Sequence, residues 1–423
     1  MVVDVGDVDF AEPAAARRWP HYQVQREDLV LNVTGAGSVG RVGIYFGTDQ
    51  PLTNQHLAKL SVASAADAAF VCAFLSSWWG ERALEQGISG STGQLNLVND
   101  HIRQVPVFTP DLAAQRYIGD KVRQAERLRQ RARRLEACFR EKMAVAVPET
   151  SPTAGKTSRV KSGELGRNLN PGVHTPDRRA VRAAVQAAGG RALDTLGHVE
   201  SPTTDSFSPR AVYVGLDAID SVTCVLKPST AEAEAVAGMA RLLREGPALS
   251  RLRPYLNKVT YIPQAFAGGI GSTELFLVRP KEGVDGWFLY GVLKLESSVR
   301  QLNPIATGST HPRVDREDVL ELLVPWRDDQ QALGALLRMA QACYFASAEL
   351  TEAATALVEH LIEGRVVEAD LVAAQKALEV GDRNADCEIL KALRQSDAPG
   401  AKALIADVDA LCALINASEE EAA

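Results

Sequence analysis

The chain repeats itself, and that repetition constrains its fold more than any single motif does. Gly90-Ser91-Thr92, followed by a short polar strand, Val105-Pro106 and a long helical run, recurs as Gly308-Ser309-Thr310, Val324-Pro325 and a second long helical run. The offset is 218 residues, about half of the 423-residue chain, and other landmarks keep step: Gln55 lies 35 residues before Gly90, and Thr273 lies 35 residues before Gly308. Val3-Asp4-Val5-Gly6-Asp7-Val8 can likewise be laid beside Val212-Tyr213-Val214-Gly215-Leu216-Asp217-Ala218-Ile219. A chance tripeptide does not carry its neighbours with it. Two copies of one globular unit, each trailed by one helix, predict a two-headed reader rather than a single-pocket enzyme.

With 46% apolar residues the chain is long enough for two or more cores. The six cysteines (Cys72, Cys138, Cys224, Cys343, Cys387, Cys412) show no CxxC spacing and the seven histidines no HxxxH pair. That pattern suits a reducing compartment and argues against structural zinc. Asp4, Asp7 and Asp9 stand where a signal peptide would be basic, and the best apolar run, Ala68 to Gly80, is too short to span a bilayer. A cytoplasmic protein with no membrane partner is expected.

The net charge of −7 is unevenly placed: from Glu363 onward there are 13 acidic and 6 basic residues, so everything before sums to zero. Residues 103–142 carry 11 basic against 5 acidic side chains, residues 156–193 carry 8 against 2, and residues 241–258 carry 5 against 1. Such zones on a neutral body are compatible with phosphate contacts, and equally with solvated faces.

The expected fold class is α+β: two tandem α/β domains, two long antiparallel coiled-coil helices and a C-terminal helical extension. Residues 1–110 form the first domain, with strand-like runs at Asp28–Thr34, Arg41–Phe46 and Leu57–Val62 and a helix around Ala68–Gln86. Residues 111–146 form a spacer helix. Ile118, Ala125, Ala132 and Phe139, with Leu128 and Leu135 beside them, repeat every seven residues and make a stripe that needs a partner helix. Residues 147–172, rich in Pro, Gly, Ser and Thr, read as a linker. Residues 173–327 form the second domain, with strands at Ala211–Val214, Lys258–Ile262 and Glu274–Val278. A second spacer helix spans 328–363, with Leu336, Cys343, Leu350 and Leu357 on one row and Ala340, Ala354 and Leu361 on the next. Each stripe can bury the other, and an approximate two-fold relation would make the helices antiparallel. Residues 364–423 form an acidic extension with two more helices around Asp397-Ala398-Pro399-Gly400.

Two motifs point elsewhere. Gly35-Ala36-Gly37-Ser38-Val39-Gly40 matches the GxGxxG fingerprint, which would make a nucleotide- or S-adenosylmethionine-binding enzyme. That fingerprint requires a helix behind the glycines, and Arg41-Val42-Gly43-Ile44-Tyr45-Phe46 is a strand-type run with no acidic residue at the ribose distance. Gly155-Lys156-Thr157-Ser158 lies in the linker, with Thr150 where a phosphate loop needs its first glycine. No Glu-x-Lys nuclease centre, amino-methyltransferase motif or Ser/His/Asp set is present.

Leu252-Arg253-Pro254-Tyr255-Leu256-Asn257-Lys258-Val259, followed by Gly271-Ser272-Thr273-Glu274-Leu275-Phe276-Leu277-Val278-Arg279-Pro280, resembles the target-recognition domain of specificity subunits from type I restriction-modification systems. Tyr213-Val214-Gly215-Leu216-Asp217 is similar to the strand that opens such domains, and Thr307-Gly308-Ser309-Thr310-His311-Pro312-Arg313-Val314 to their Gly-Ser-Thr signature. In the first half Asp28–Leu31, Thr34–Arg41, Asn54-Gln55-His56 and Gly90–Asn96 fit the same template, and each half closes with a glutamine entering the long helix, Gln115 and either Gln330 or Gln331.

The resemblance covers about residues 1–363. It implies a non-catalytic subunit, one half of a split double-stranded DNA site read by each domain, and paired helices that act as ruler and platform for two methyltransferase subunits. Restriction and translocase subunits would join the full complex. It implies no cofactor on this chain, S-adenosylmethionine belonging to the methyltransferase partner.

Under that resemblance Arg251, Arg253, Lys258 and Arg313 neutralise phosphates or fork onto guanine, and Asn54, Gln55, Gln94, Asn96 and Asn257 pair with adenine edges. Ser91, Thr92, Ser309 and Thr310 offer hydroxyls and backbone N–H groups to phosphate. Thr34, Ser38, Arg41, His56, Tyr255, Ser272, Thr273 and His311 complete the expected DNA-contact set. Structural roles stand beside these: Gly-Ser-Thr as a turn cap, and Tyr255 or Asn257 as loop supports. The first copy has no counterpart of Val173–Arg210. The acidic tail exceeds the resemblance, as either a partner-docking surface or a capping helical pair. A second class of function is a scaffold of a phage-defence complex that has lost DNA recognition.

Overall fold

The computed structural model describes residues 1–3, 17–90, 95–146, 159–164, 170–208, 211–221, 223, 226, 229–230, 238–396, 405 and 407–420. The chain divides into two compact units: Met1–Gln130 with Phe345–Asp397 and Ala403–Ala423, and Arg131–Tyr344 with Ala398–Lys402.

In the first unit, strands β1 (Leu29–Asn32), β2 (Val42–Ile44) and β3 (Leu57–Leu60) form an antiparallel sheet in the order β2-β1-β3. Leu29 and Leu31 on β1 are fully buried, as suits a central strand with apolar residues on both faces. The single helix expected over Ala68–Gln86 is two: α1 (Ala68–Leu75) and α2 (Trp78–Glu85). Ser77 makes the break, its hydroxyl donating to Phe74 O at 2.6 Å and accepting from Gly80 N at 3.4 Å. It thereby closes one helix and caps the next, a role serine fills better than it fills a helix interior. The hairpin β4 (Ile88–Ser89) and β5 (Asn96–Leu97), α3 (Asn99–Gln104) and the 35-residue α4 (Leu112–Ala146) follow, α4 passing into the second unit at Arg131.

The second unit opens with α5 (Pro176–Ala187), β6 (Arg191–Ala192), α6 (Leu193–Leu196), β7 (Gly197–Glu200), β8 (Thr203–Thr204), β9 (Val212–Val214), β10 (Ser229–Thr230) and β11 (Ala240–Leu242). Then come β12 (Gly246–Ser250), β13 (Val259–Ile262), β14 (Ile270–Gly271), β15 (Leu275–Pro280), α7 (Gly286–Lys294), α8 (Glu296–Leu302), α9 (Arg316–Leu320), β16 (Leu323–Val324) and the 33-residue α10 (Gln330–Ile362), which passes into the first unit at Phe345. One sheet runs β13-β12-β15-β7 and another β10-β9-β14-β11-β8. The core gathers Phe276, Val278, Phe288, Leu289, Val292, Leu333 and Leu337.

The 218-residue offset lays β1, β2, β3, α1, α2 and α3 onto β12, β13, β15, α7, α8 and α9. Strand order agrees, and so does register, since Val30 faces Lys59 as Ala248 faces Leu277. Asp67 caps α1 by accepting from Phe70 N at 2.9 Å, and Asp285 caps α7 by accepting from Phe288 N at 2.7 Å. Each cap is clasped by a glutamine of the long helix. Asp67 N donates to Gln115 Oε1 at 3.0 Å and Asp285 N to Gln330 Oε1 at 2.8 Å, which singles out Gln330 over Gln331. One turn on stand Gly119 and Gly334, where a Cβ would lie 2.2 Å from Asp67 Oδ1 and 2.0 Å from Asp285 Oδ1. Only glycine leaves room for the carboxylate against the helix backbone.

Among the described residues the C-terminal extension holds three helices where two were expected: α11 (Glu368–Glu379), α12 (Asn384–Ser396) and α13 (Val408–Glu420). They belong to the first unit and bury Leu371, Leu390, Leu393, Leu411 and Ile415. Lys121 of α4 and Asp386 of α12 form a wholly buried ion pair, and Tyr117 donates to Asp386 Oδ1 at 2.8 Å. Burial pulls the Lys121 pKa down from its usual value, while Asp386 pulls it back up. Cys387 and Cys412 are joined as a disulfide, their Cα atoms 6.9 Å apart, which the scattered cysteine spacing did not announce. No helix among the described residues is long and apolar enough to cross a membrane.

Candidate nucleic-acid interface

Both copies build a loop cluster on the same backbone frame. In the first, β1 turns into β2 through Val33–Arg41, with Gly35, Gly37 and Gly40 at φ of 101°, 80° and 87°. Three left-handed positions in six residues demand glycine. The run is a hairpin turn: Gly40 N donates to Asn32 O at 2.8 Å and Asn32 N to Arg41 O at 2.9 Å. β2 follows, so the helix N-terminus that a dinucleotide or S-adenosylmethionine site would need there is missing, and the enzyme alternative loses its basis.

Thr34, Asn54, Gln55, His56 and Asn96 converge beside this hairpin. Thr34 Oγ1 and His56 Nδ1 share a hydrogen bond of 2.8 Å, and Gln55 Nε2 lies 3.4 Å from His56 Nε2. Asn54 Oδ1 accepts from His56 N at 2.9 Å, which fixes the turn. Asn96 is bridged to Thr34 and paired with Ser89. Ser38 Oγ donates to Thr34 O at 3.3 Å, while Arg41 points outward and exposed. Ser91, Thr92 and Gln94 lie outside the described residues.

In the second copy the equivalent turn is Arg251–Lys258. Arg253 stands at φ 49° and Asn257 at φ 47°, left-handed positions that cost a non-glycine residue about 1–3 kcal/mol. By the 218-residue offset Arg253 occupies the place of Gly35. Strand-like bonds tie both turns to their Gly-Ser-Thr loops in the same way. Gly35 N donates to Leu95 O at 3.1 Å and Leu97 N to Val33 O at 2.8 Å; Arg253 N donates to Pro312 O at 2.7 Å and Val314 N to Arg251 O at 3.0 Å. Gly90 and Gly308 both take positive φ, 127° and 112°.

Arg251, Arg313 and Ser272 contact Glu274, and Arg253, Thr310 and His311 join the same cluster through Arg253–Thr310 and Arg313–His311 hydrogen bonds, with Thr273 next to Glu274 in the chain. Arg313 forks onto Glu274, Nη2 at 2.6 Å from Oε1 and Nε at 3.0 Å from both oxygens. These bonds raise the Arg313 pKa further. Arg251 stands 3.8 Å from Glu274 and 3.6 Å from Asp315, its guanidinium over the Phe276 ring. Arg253 Nη2 donates to Thr310 O at 3.2 Å and Arg313 Nη1 to His311 O at 3.1 Å. Ser272 Oγ accepts from Glu274 N at 3.2 Å. Ser309, Thr310 and His311 are exposed, and Tyr255 is half exposed.

Two candidates are turned away from this cluster. Asn257 Nδ2 donates to Lys294 O at 3.0 Å and Lys258 Nζ to Ile219 O.

Arg241 and Glu274 have parts in the cluster that sequence reasoning did not assign. Arg241, buried on β11, donates to Thr273 O at 2.6 Å, Leu275 O at 2.7 Å and Pro202 O at 3.2 Å. Burial pulls its pKa below the usual arginine value. A lone arginine inside the apolar run Met239–Leu243 was the available signal. Glu274 carried none, because its partners are distant in sequence. Among the described residues no group of three or more His, Cys, Asp or Glu side chains is placed to hold a metal.

No family model matches the sequence, and no curated protein matches it. Among solved structures the chain is similar to the S subunit of a type I restriction-modification system from M. genitalium, at 14% identity and TM-score 0.37, covering 84% of each chain. It is also similar to the HsdS subunit from Thermoanaerobacter tengcongensis, at 14% identity and TM-score 0.27, covering 80% of this chain and 81% of that one. A third structure, described as showing complex assembly and conformational transition of the type I R-M system, stands at 12% identity and TM-score 0.27, covering 80% and 82%.

Proposed function

We propose that the chain is a DNA-binding specificity subunit of a type I restriction-modification complex, non-catalytic itself. In this reading each copy contacts one half of a split site. Residues 1–110 and 173–327 are the reading domains, 111–146 and 328–363 the spacer helices, and the methyltransferase subunit brings S-adenosylmethionine.

The observation that carries the proposal is the duplicated frame: the same strands, the same aspartate-capped helix and the same two-loop cluster, each trailed by a long helix. A single-pocket enzyme has no use for two such surfaces, whereas a bipartite site does. The long helices support a ruler. In α4 and α10 the offset is 215 residues, set by Gln115 with Gln330 and Gly119 with Gly334. Arg129 donates to Thr351, and Tyr344 to Glu136. That offset exchanges the two pairs.

The forking of Arg313 onto Glu274 favours a second reading, a scaffold that has kept the frame and lost recognition. Co-purification with a methyltransferase subunit, followed by DNA titration at two salt concentrations, separates them. Specific binding with a steep salt slope is the expected result, because phosphate contacts release counterions. A complex that assembles and ignores DNA would establish the scaffold.

A further inference from the structure

We infer that residues 17–22 form a phosphate-gripping arm of the first copy, supplying cations with which that copy holds duplex DNA. This rests on the proposed function and adds to it a surface outside the loop cluster.

The two copies share a backbone frame but not its cations. At the 218-residue offset Arg251, Arg253 and Arg313 of the second cluster fall on Val33, Gly35 and Leu95 of the first. A surface that grips duplex DNA neutralises several phosphates, each adding affinity through counterion release. The first copy therefore needs cations from another segment.

Residues 17–22 bring them to the same edge of the frame. Gln23 pairs antiparallel with Leu52 as Leu242 of β11 pairs with Ile270 of β14, and Ile270 stands at the repeat offset from Leu52. Val24 N donates to Pro51 O at 2.8 Å, as Leu243 N donates to Gly269 O at 2.9 Å. Residues 22–24 are thus the first copy's equivalent of β11. In the second copy β8 covers the far side of β11, whereas among the described residues no strand covers the far side of residues 22–24. On the near side Thr53 N donates to Tyr22 O at 2.9 Å, and the residues that follow Thr53 are Asn54, Gln55 and His56 of the loop cluster. The arm is continuous with the candidate interface.

Its chemistry names the occupant. Arg17, Arg18, Trp19, Pro20, His21 and Tyr22 are all exposed, Trp19 at 46% and Tyr22 at 51%. No acidic residue occurs between Arg17 and Arg26. The Arg18 guanidinium lies over the Trp19 ring, 5.0 Å from its centre, which holds the planar fork in place before a phosphate arrives. Pro20 opens the 3-10 turn Pro20–Tyr22 and fixes the backbone there, so the arm leaves the sheet in one direction. The residues leading into β11 of the second copy, Gly238, Met239 and Ala240, carry no cation. Charge thus sits on the arm in one copy and on the loops in the other. Contacts of this kind hold the duplex without reading its sequence, and reading stays with Asn54, Gln55 and His56.

The test is binding of the full chain, with its methyltransferase subunit, to a fluorescent random-sequence duplex over a series of salt concentrations. Arg17→Ala with Arg18→Ala is expected to weaken binding about tenfold or more and to lower the salt slope by roughly two, with the thermal melt unchanged, while Arg17→Lys with Arg18→Lys keeps the slope. Unchanged affinity and slope in the alanine pair, where Arg253→Ala with Arg313→Ala still weakens binding, overturns the inference and leaves the proposed function standing. So does an alanine pair that keeps its DNA affinity and loses the methyltransferase subunit, which would make the arm a protein contact. A wild-type complex that binds no duplex overturns the proposed function and this inference with it.

Discussion

The two copies share a skeleton and differ in what they place on it. Where the first copy turns through Gly35, Gly37 and Gly40, the second turns through Arg253 and Asn257 held at the same kind of left-handed backbone. Among the described residues the first cluster is built on Thr34, Asn54, Gln55 and His56; in the second Arg251 and Arg313 contact Glu274 and Arg253 donates to Thr310 O. Among the described residues the sheet of the first copy has three strands, while that of the second gains β7 on β15. Sheet register and helix caps are fixed by packing and are duplicated, whereas loop side chains are free to diverge. Two surfaces on one frame can therefore carry different specificities.

The largest effect that would sharpen this comparison concerns the tail helices α11–α13, which belong to the first unit. Asp386→Ala strands Lys121 in the interior and is expected to cost about 3–5 kcal/mol. Hydrogen exchange should show faster opening at Tyr117–Gln124 and little change at Phe288–Leu293. Protection lost equally in both units would contradict the assignment. Lys121→Met combined with Asp386→Leu is expected to recover most of the loss.

Next comes DNA affinity. Arg253→Ala with Arg313→Ala should weaken binding by about tenfold to a hundredfold and lower the salt slope by roughly one for each phosphate contact removed. Unchanged affinity and slope would mean that the second copy's arginines do not face DNA.

The helix caps test the likeness of the copies. Asp67→Ala and Asp285→Ala should each cost about 1–2 kcal/mol in denaturant unfolding, and a large inequality would show that the clasps are not equivalent. Arg253→Gly is expected to gain up to about 1 kcal/mol by relieving its left-handed backbone while weakening DNA binding, and a loss of stability would show that its bond to Thr310 outweighs the strain. Smallest of all, the thiol of Cys72 is pushed up to about 12 by burial, so N-ethylmaleimide at pH 8 should label it only after unfolding. Labelling of the folded chain would mean that α1 opens readily.

The long helices were legible because a seven-residue apolar repeat survives tertiary context: Asp111–Met143 and Asp328–Glu363 were expected, and Leu112–Ala146 and Gln330–Ile362 are found. The three strands of the first copy were legible from β-branched and apolar runs bounded by glycine; in the second copy β13 and β15 were, while the central β12 (Gly246–Ser250), with Gly and Pro inside it, was not. The break at Ser77 was hidden because an apolar run masks a capping serine. The third tail helix was hidden by the Pro-Gly punctuation that drew attention to a single turn. Lys121 with Asp386, 265 residues apart, has no local signature, and neither has Glu274 with Arg313. Of the candidate site, the loops were legible; which side chains face one another there depends on backbone turns that residue types alone do not fix.

The most direct test of the central claim is a map of adenine methylation on genomic DNA from cells that express the chain with its methyltransferase subunit. The account predicts methylation at a split motif with a fixed gap, one half of it altered by Arg253→Ala with Arg313→Ala. Methylation at a single uninterrupted motif, or a map indifferent to those substitutions, would contradict the two-headed reader.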